Sequence, residues 1–408
     1  MERPLPLLRP EGRAFTIFLG LLATLPMLSI DISTPTLPLL PAALGTTVTT
    51  AGLTISLFMV GFAGGQLIAG PRSDRAGRRP VLLLALGLYV VAGLGCTLAV
   101  SGPMLVTTRL LQGLGAGACA VLSLAIVQDL FQGEVARIKR SYVVIVVAVT
   151  PILAPAFGSF LTELAGWRSV HAVLVLGGCV LALTTWAAFE ESRAADAALA
   201  RRGFGHLLKD GPFLGIALTN ALSYAAIFAY IAGSPLVILS VWQYPAMVFP
   251  AVFAATAIAL SCGAWVSGRM AHRGVSAAIL VRLSLLAQTI AGILLAAGVI
   301  TDLVPRAALL IPLLIVLFTR GVIAPNLQHL AIERGGDQAG VASAGLGVSQ
   351  LLAGAAASAL AACLLPSFGA GAVGTPIAAL ACAALLSWIW AAWIVRQREK
   401  PNPLSVTD

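Results

Sequence analysis

Charge is what this sequence has least of. Only 10% of its 408 residues are Asp, Glu, Lys or Arg, while 59% are hydrophobic. Soluble domains carry about 25% charged and roughly 45–50% apolar residues. A single soluble core stops growing near ~250–300 residues, so a water-soluble chain this apolar has nowhere to put its surplus surface. A lipid bilayer removes the difficulty, because lipid-facing side chains can be as apolar as core ones.

Other shortages narrow the function. The only lysines, Lys139, Lys209 and Lys400, precede Arg, Asp and Pro. No G-x-x-x-x-G-K-[ST] phosphate loop exists, which argues against an ATP-driven pump. Cys96, Cys119, Cys179, Cys262, Cys363 and Cys382 all lie in apolar stretches, with no CxxC pair and no His at metal-ligand spacing. They read as small hydrophobes, so neither disulfides nor a metal site is expected. His171, His206, His272 and His329 are scattered near expected membrane faces. Without clustered His, Cys or acids at depth, no enzyme and no cofactor are expected. Repeated pore loops and charged rings, the marks of a channel, are also missing. The formal net charge of +9 sits in short basic clusters between apolar runs. With no basic domain and no interleaved aromatic surface, nucleic acid is not an expected partner.

What is abundant is long apolar runs. A span needs about 20 mostly apolar residues. Twelve candidates emerge, over 14–40, 51–70, 80–100, 103–128, 141–164, 167–189, 212–238, 246–267, 278–300, 305–325, 340–364 and 372–395. The first follows Arg3, Arg9 and Arg13 but runs too long for a signal-peptide core and shows no small-residue cleavage site, so it reads as a retained helix. Pro26, Pro35, Pro38 and Pro41 predict that its outer end is bent. With both termini in the cytoplasm, Lys and Arg concentrate at the inner side, with only Arg168 and Arg306 at the outer side and Arg109 and Arg320 deeper within spans. This is the positive-inside pattern.

The longest polar stretch, Glu190 to Asp210, stands almost at the midpoint. It divides the chain into six spans over 1–189, a cytoplasmic linker over 190–211, and six spans with a short cytoplasmic tail over 212–408. Leu124-Ala125-Ile126 is echoed by Leu330-Ala331-Ile332, as a half-chain repeat requires. The expected fold is an all-α membrane protein of two six-helix bundles, related by an approximate two-fold axis along the membrane normal.

Asp31 interrupts the first apolar helix and is the only carboxylate that the span limits place well away from a membrane face. Charge at that depth costs about 2.5–3.5 kcal/mol on insertion scales and marks a functional site by default. Apolar surroundings disfavour its charge and a cationic neighbour favours it, and a carboxyl poised between the two loads and releases a proton. The alternative is a structural carboxylate locked in an ion pair. Arg109, in the fourth span, lies at about the same depth at 1.5 Å per residue. It either pairs with Asp31 or snorkels to the outer leaflet.

Three motifs then point to one family. Gly70-Pro71-Arg72-Ser73-Asp74-Arg75-Ala76-Gly77-Arg78-Arg79, between spans two and three, resembles the G-x-x-x-D-R-x-G-R-[RK] loop of the major facilitator superfamily. Gly77 suits a left-handed turn, and Asp74 suits a helix N-terminus. The resemblance implies a latch on the cytoplasmic side; the plainer alternative is a basic topogenic loop. The equivalent Gly268-Arg269-Met270-Ala271-His272-Arg273-Gly274 lacks the acid. Arg109-Leu110-Leu111-Gln112-Gly113-Leu114-Gly115-Ala116-Gly117 resembles the family's span-four R-x-x-Q-G motif, and its small residues allow close helix approach. Pro151, Pro155 and Gly158 in span five partly match the motif of the family's antiporters, with Ala148, Ala154 and Ser159 where glycines are usual. An ordinary proline kink is the other reading.

Asp31-x-x-x-Pro35-x-x-Pro38 and Gly321-x-x-x-Pro325-Asn326 are similar to stretches of the Bcr/CflA drug-resistance subfamily. That resemblance implies proton-driven export of drug-like molecules from a bacterial cytoplasmic membrane. Transport of a physiological metabolite, inward or outward with protons, is the competing reading. One chain supplies both halves, so a functional monomer is expected, with substrate, protons and lipid as its only partners. Arg320 departs from the subfamily pattern, and either binds an anionic substrate or snorkels to the cytoplasm. Met27, Gln112, Tyr224, Phe228, Arg320 and Asn326 are the candidate cavity residues.

Overall fold

A computed structural model describes residues 9–192 and 210–398. Most of the expected linker and the chain ends lie outside the described residues. Among the described residues, twelve helices are long and apolar enough to cross a membrane. In order these spans are Arg13–Leu44, Val48–Ala76, Arg78–Thr97, Gly102–Leu130, Gly133–Ala165, Trp167–Ala188, Gly211–Val241, Val248–His272, Ala277–Thr301, Arg306–Gly335, Gly340–Phe368 and Gly371–Val395. Each expected span falls on one of them. Spans five and ten run well past their apolar cores at the basic end, because an exposed helical turn satisfies its own backbone whatever its side chains.

The first span is broken where its prolines predict. Its α-helix covers Arg13–Asp31, followed by a 3-10 segment Thr34–Leu39 and a short helix Leu40–Leu44. Irregular backbone at membrane depth needs internal hydrogen bonds. Hydroxyls supply them: Ser33 Oγ donates to the Ser29 and Ile30 carbonyls, Thr34 Oγ1 to that of Asp31, and Thr36 Oγ1 to that of Ser33. Span five, in contrast, stays continuous through Pro151 and Pro155. It lies against span one along an i, i+4 row. Val146 meets Gly20, Thr150 Oγ1 is 2.6 Å from Thr24 Oγ1, and a Cβ added at Gly158 would collide with the Ile32 backbone.

Glycine sets the closest seam. Between spans two and four, a Cβ added at Gly61 would strike the Leu110 carbonyl, and one at Gly113 the Phe58 carbonyl. Gly65 and Gly117 repeat the contact one turn on, against Leu114 and Phe62. Spans eight and ten reproduce the same reciprocal pair: Gly263 faces the Phe318 carbonyl and Gly321 that of Leu260. The two seams fix a repeat register in which Gly113 answers to Gly321. Leu124 then falls opposite Ile332 rather than Leu330, so the three-residue sequence echo is out of step with the packing.

Backbone proximity gathers the chain into two compact units. The first holds spans one to six with Phe228–Ile258 and Ala355–Val373. The second holds span seven up to Ile227, Ala259–Gly354, and the chain from Gly374 onward. Within the first unit, span two meets span eleven. Ser56 Oγ donates to Ser358 Oγ at 2.9 Å, Thr49 Oγ1 to the Ala362 carbonyl at 3.2 Å, and a Cβ at Gly52 would collide with Ala362.

Candidate functional site

Asp31 closes the helical part of span one and is 2% exposed. Its Oδ2 is fully buried with no hydrogen-bond partner. The structure does not pair it with Arg109. That guanidinium donates to Gln112 Oε1 (2.9 Å), the Ser29 carbonyl (3.1 Å) and Ser33 Oγ (3.4 Å), and lies 4.2 Å from the centre of the Phe58 ring. Depth agrees, but azimuth does not. Ser29 and Ser33 share one face of span one, and Asp31 projects roughly 200° round the helix from Ser29 at 3.6 residues per turn. Nor does Arg109 snorkel; it is 1% exposed.

The Arg109 face of span one is a polar network in an apolar bundle. Ser29 Oγ sits 2.8 Å from Tyr89 Oη on span three, and Gln112 backs the guanidinium rather than facing a cavity, at 0% exposure. On the other face, Met27 precedes Asp31 by one turn and is half-buried. Tyr230, in the first unit's part of span seven, lies within electrostatic reach of Asp31 and hydrogen-bonds Thr256 Oγ1 at 3.1 Å. Phe228, two residues earlier, is buried. Tyr230 and Tyr89 carry no sequence motif and were not among the expected residues. Ser29 and Ser33 were legible in principle, as an i, i+4 hydroxyl pair beside the buried acid.

The loop between spans two and three is a tight charge cluster. Arg78 donates through Nη1 to Asp74 Oδ1 (2.6 Å) and Ser73 Oγ, and grips Asp129 at the end of span four through Nε (2.7 Å) and Nη2 (3.3 Å). Gly77 takes φ +95°, the positive value only glycine adopts readily. Asp74 does not cap the following helix, as expected from its sequence position. Glu191 does: its Oε1 accepts from the Arg78 backbone N–H (2.7 Å) and Oε2 from that of Arg79 (3.0 Å). A carboxylate across two leading N–H groups satisfies orphan donors and complements the helix dipole. Arg79 adds a bond to the Trp186 carbonyl, Arg75 is exposed, and Gly70 has open space where a Cβ would stand. Near this end of the first unit, a cavity of about 790 Å³ is lined by Gln128, Gln132, Arg137, Arg140 and Ser141, among others.

In the second unit Arg320 is buried, 4% exposed, and does not snorkel. Nη1 donates to Asn220 Oδ1 at 3.0 Å and Nη2 to Gln350 Oε1 at 3.4 Å, with the Tyr224 ring centre 5.3 Å from the guanidinium carbon. Asn326 lies on the same helix, but its Nδ2 is committed to Ser267 Oγ and the Val322 carbonyl, both at 2.7 Å. It ties span ten to span eight and works as packing.

Among the described residues, twelve membrane-length helices with charged groups buried between them and a broken helix at a buried acid define a multi-pass transport protein. The sequence profile of the Major Facilitator Superfamily matches residues 19–362. The chain belongs to that superfamily and is a transporter of small molecules, not an enzyme. It is 33% identical over 362 residues to the uncharacterized MFS-type transporter YdgK of Bacillus subtilis (strain 168), covering 86% of this chain and 89% of that one. A chloramphenicol resistance protein of Pseudomonas aeruginosa is 38% identical over 167 residues, 41% of this chain and 40% of its own length. Multidrug resistance protein MdtL of Escherichia coli (strain K12) is 29% identical over 230 residues, covering 56% of this chain and 59% of MdtL. The crystal structure of a D-xylose-proton symporter superposes with a TM-score of 0.72 at 18% identity, over 93% of this chain and 97% of that one. At that identity the likeness speaks for the fold alone.

Proposed function

We propose that the chain is a proton-coupled exporter of drug-like small molecules in a bacterial cytoplasmic membrane, with both termini cytoplasmic. The observation that carries this reading is Asp31, a buried carboxylate whose Oδ2 has neither a salt bridge nor a hydrogen bond. A carboxylate held that way gains most from a proton, and an acid with no fixed partner can release it when the site is wetted. Arg109 holds the Ser29–Ser33 turn of span one and so fixes where Asp31 points. The two six-helix halves, 1–189 and 212–408, rock about a central site, one chain sufficing for the cycle. The charge cluster around Arg78 acts as the cytoplasmic latch, and the thin span-one/span-five seam at Gly158 as the hinge.

Export is supported by the resistance proteins among the relatives and by the Asp31–Pro38 and Gly321–Asn326 stretches, which resemble the Bcr/CflA subfamily. Everted membrane vesicles with an acidic lumen test it. Labelled chloramphenicol should accumulate inside as protons leave, and collapse of the pH gradient should abolish accumulation. Accumulation that ignores the gradient, or flux in the same direction as the proton, removes antiport.

A further inference from the structure

The repeat register places Arg320 in the second unit where span four carries Gln112, each residue preceding the glycine of the seam. In the first half that slot holds a neutral amide. In the second it holds a permanent cation, since arginine does not lose its proton in proteins. A charge in apolar surroundings is normally paired, yet every group around this one is neutral. Asn220 Oδ1 accepts a bond of 3.0 Å, whereas the Asn220 carbonyl and Gln350 Oε1 accept only long ones, each 3.4 Å. Gln350 Oε1 is further shared with Asn220 Nδ2 at 3.1 Å. Five guanidinium donors therefore meet one good acceptor. No described acid forms an ion pair with Arg320.

The cluster is not fully enclosed. Asn220 and Arg320 are buried, but Gln350 and Tyr224 are only half-buried. A group arriving past those two side chains reaches the guanidinium with an aromatic face beside it. We propose that Arg320 recognises a carboxylate on the transported molecule. The carboxylate accepts two parallel N–H bonds from the guanidinium fork, the Gln350 amide turns from Arg320 towards Asn220, and the Tyr224 ring covers the ligand's apolar body. The transported class then includes, beside neutral drugs, organic anions and zwitterions that carry a carboxylate on an apolar scaffold. This rests on the transport reading above and deepens it.

The test uses the full chain in nanodiscs, with labelled nalidixate and its methyl ester as probes that share a scaffold and differ at the carboxylate, which is charged in one and masked in the other. Wild type should bind the acid roughly ten- to a hundredfold more tightly than the ester, the range expected for hydrogen bonds to a charged group. Arg320→Gln, which restores the residue of the span-four slot, should bind acid and ester alike. Arg320→Lys should keep part of the preference, because charge survives and the planar fork does not; it also serves if the Gln variant does not fold. Equal binding of acid and ester by wild type, binding of neither, or a preference that survives Arg320→Gln overturns the proposal. Flux in proteoliposomes separates the two readings. Ester driven uphill by a pH gradient without any acid preference leaves the transporter and removes the anion site. An Arg320-dependent preference without flux driven by the pH gradient leaves the site and removes proton-driven export.

Discussion

Replacing Asp31 by asparagine keeps the shape of the side chain and takes away its proton. The carboxylate has no salt bridge to lose and Oδ2 has no donor to leave stranded, so the variant forfeits none of the interactions that make buried substitutions costly. Its stability should stay within about 1 kcal/mol of wild type. Transport should change far more. One proton exchanged per cycle turns each unit of pH difference into about 1.36 kcal/mol, a tenfold substrate ratio. Proteoliposomes holding two pH units should therefore sustain a ratio near a hundred with wild type and near one with Asp31→Asn. Counterflow of labelled against unlabelled substrate, which needs no net proton movement, should persist in the variant. Labelled chloramphenicol taken up against both gradients measures each quantity. A variant that still reaches the wild-type ratio refutes the coupling role. One that unfolds instead makes the acid structural, contrary to an oxygen without a partner.

Five further outcomes test the packing and the latch. Gly113→Val drives a side chain into the Phe58 carbonyl and should cost the upper part of about 1–3 kcal/mol, read as a lower midpoint of thermal unfolding in detergent. Gly87→Ala, in an exposed helical position with nothing near the new methyl, should instead raise that midpoint, by up to about 1 kcal/mol of stability. Arg78→Met leaves Asp74 and Asp129 without their shared cation and should lower both stability and transport rate; Glu191→Ala should cost about 1 kcal/mol by uncapping span three. Gly52→Leu collides with Ala362 and should loosen the junction of spans two and eleven, measured as faster labelling of a cysteine placed at Ser358.

Span number and placement were legible because hydropathy depends on composition alone, and lipid imposes it on every helix. Helix ends were not, since span ten continues past its apolar core to Gly335 on backbone hydrogen bonds. Asp31 was legible for the same reason as the spans: a lone acid breaks an apolar run. Its relation to Arg109 was not, because depth follows from counting residues whereas facing depends on which side of span one meets span four. Ser29 and Ser33 resolve that question, through bonds to Arg109. The capping role expected of Asp74 went to Glu191, over a hundred residues away in sequence. Local spacing can show that a helix N-terminus wants a carboxylate, but only tertiary structure says which one arrives.

The glycine seams explain why the two halves diverge where they do. A close contact such as Gly61 on the Leu110 carbonyl or Gly263 on the Phe318 carbonyl admits no side chain at the glycine, so the repeat keeps it. The position beside the seam carries no such demand. In span four it holds Gln112, whose oxygen is spent on Arg109 one turn away. In span ten the position equivalent to Arg109 is Leu317, and the arginine has moved into the Gln112 slot. Each half thus retains one buried cation near its seam, at different heights and with different duties. Arg109 is tied to span one through Ser29 and Ser33 and backed by Gln112 and the Phe58 ring, which suits a residue that positions the coupling helix. Arg320 is held by one good bond and two long ones, which suits a residue whose best partner comes and goes. On the proposed reading, moving a single arginine by one turn separates energy coupling in the first half from recognition in the second, while the glycine seam that both share is kept.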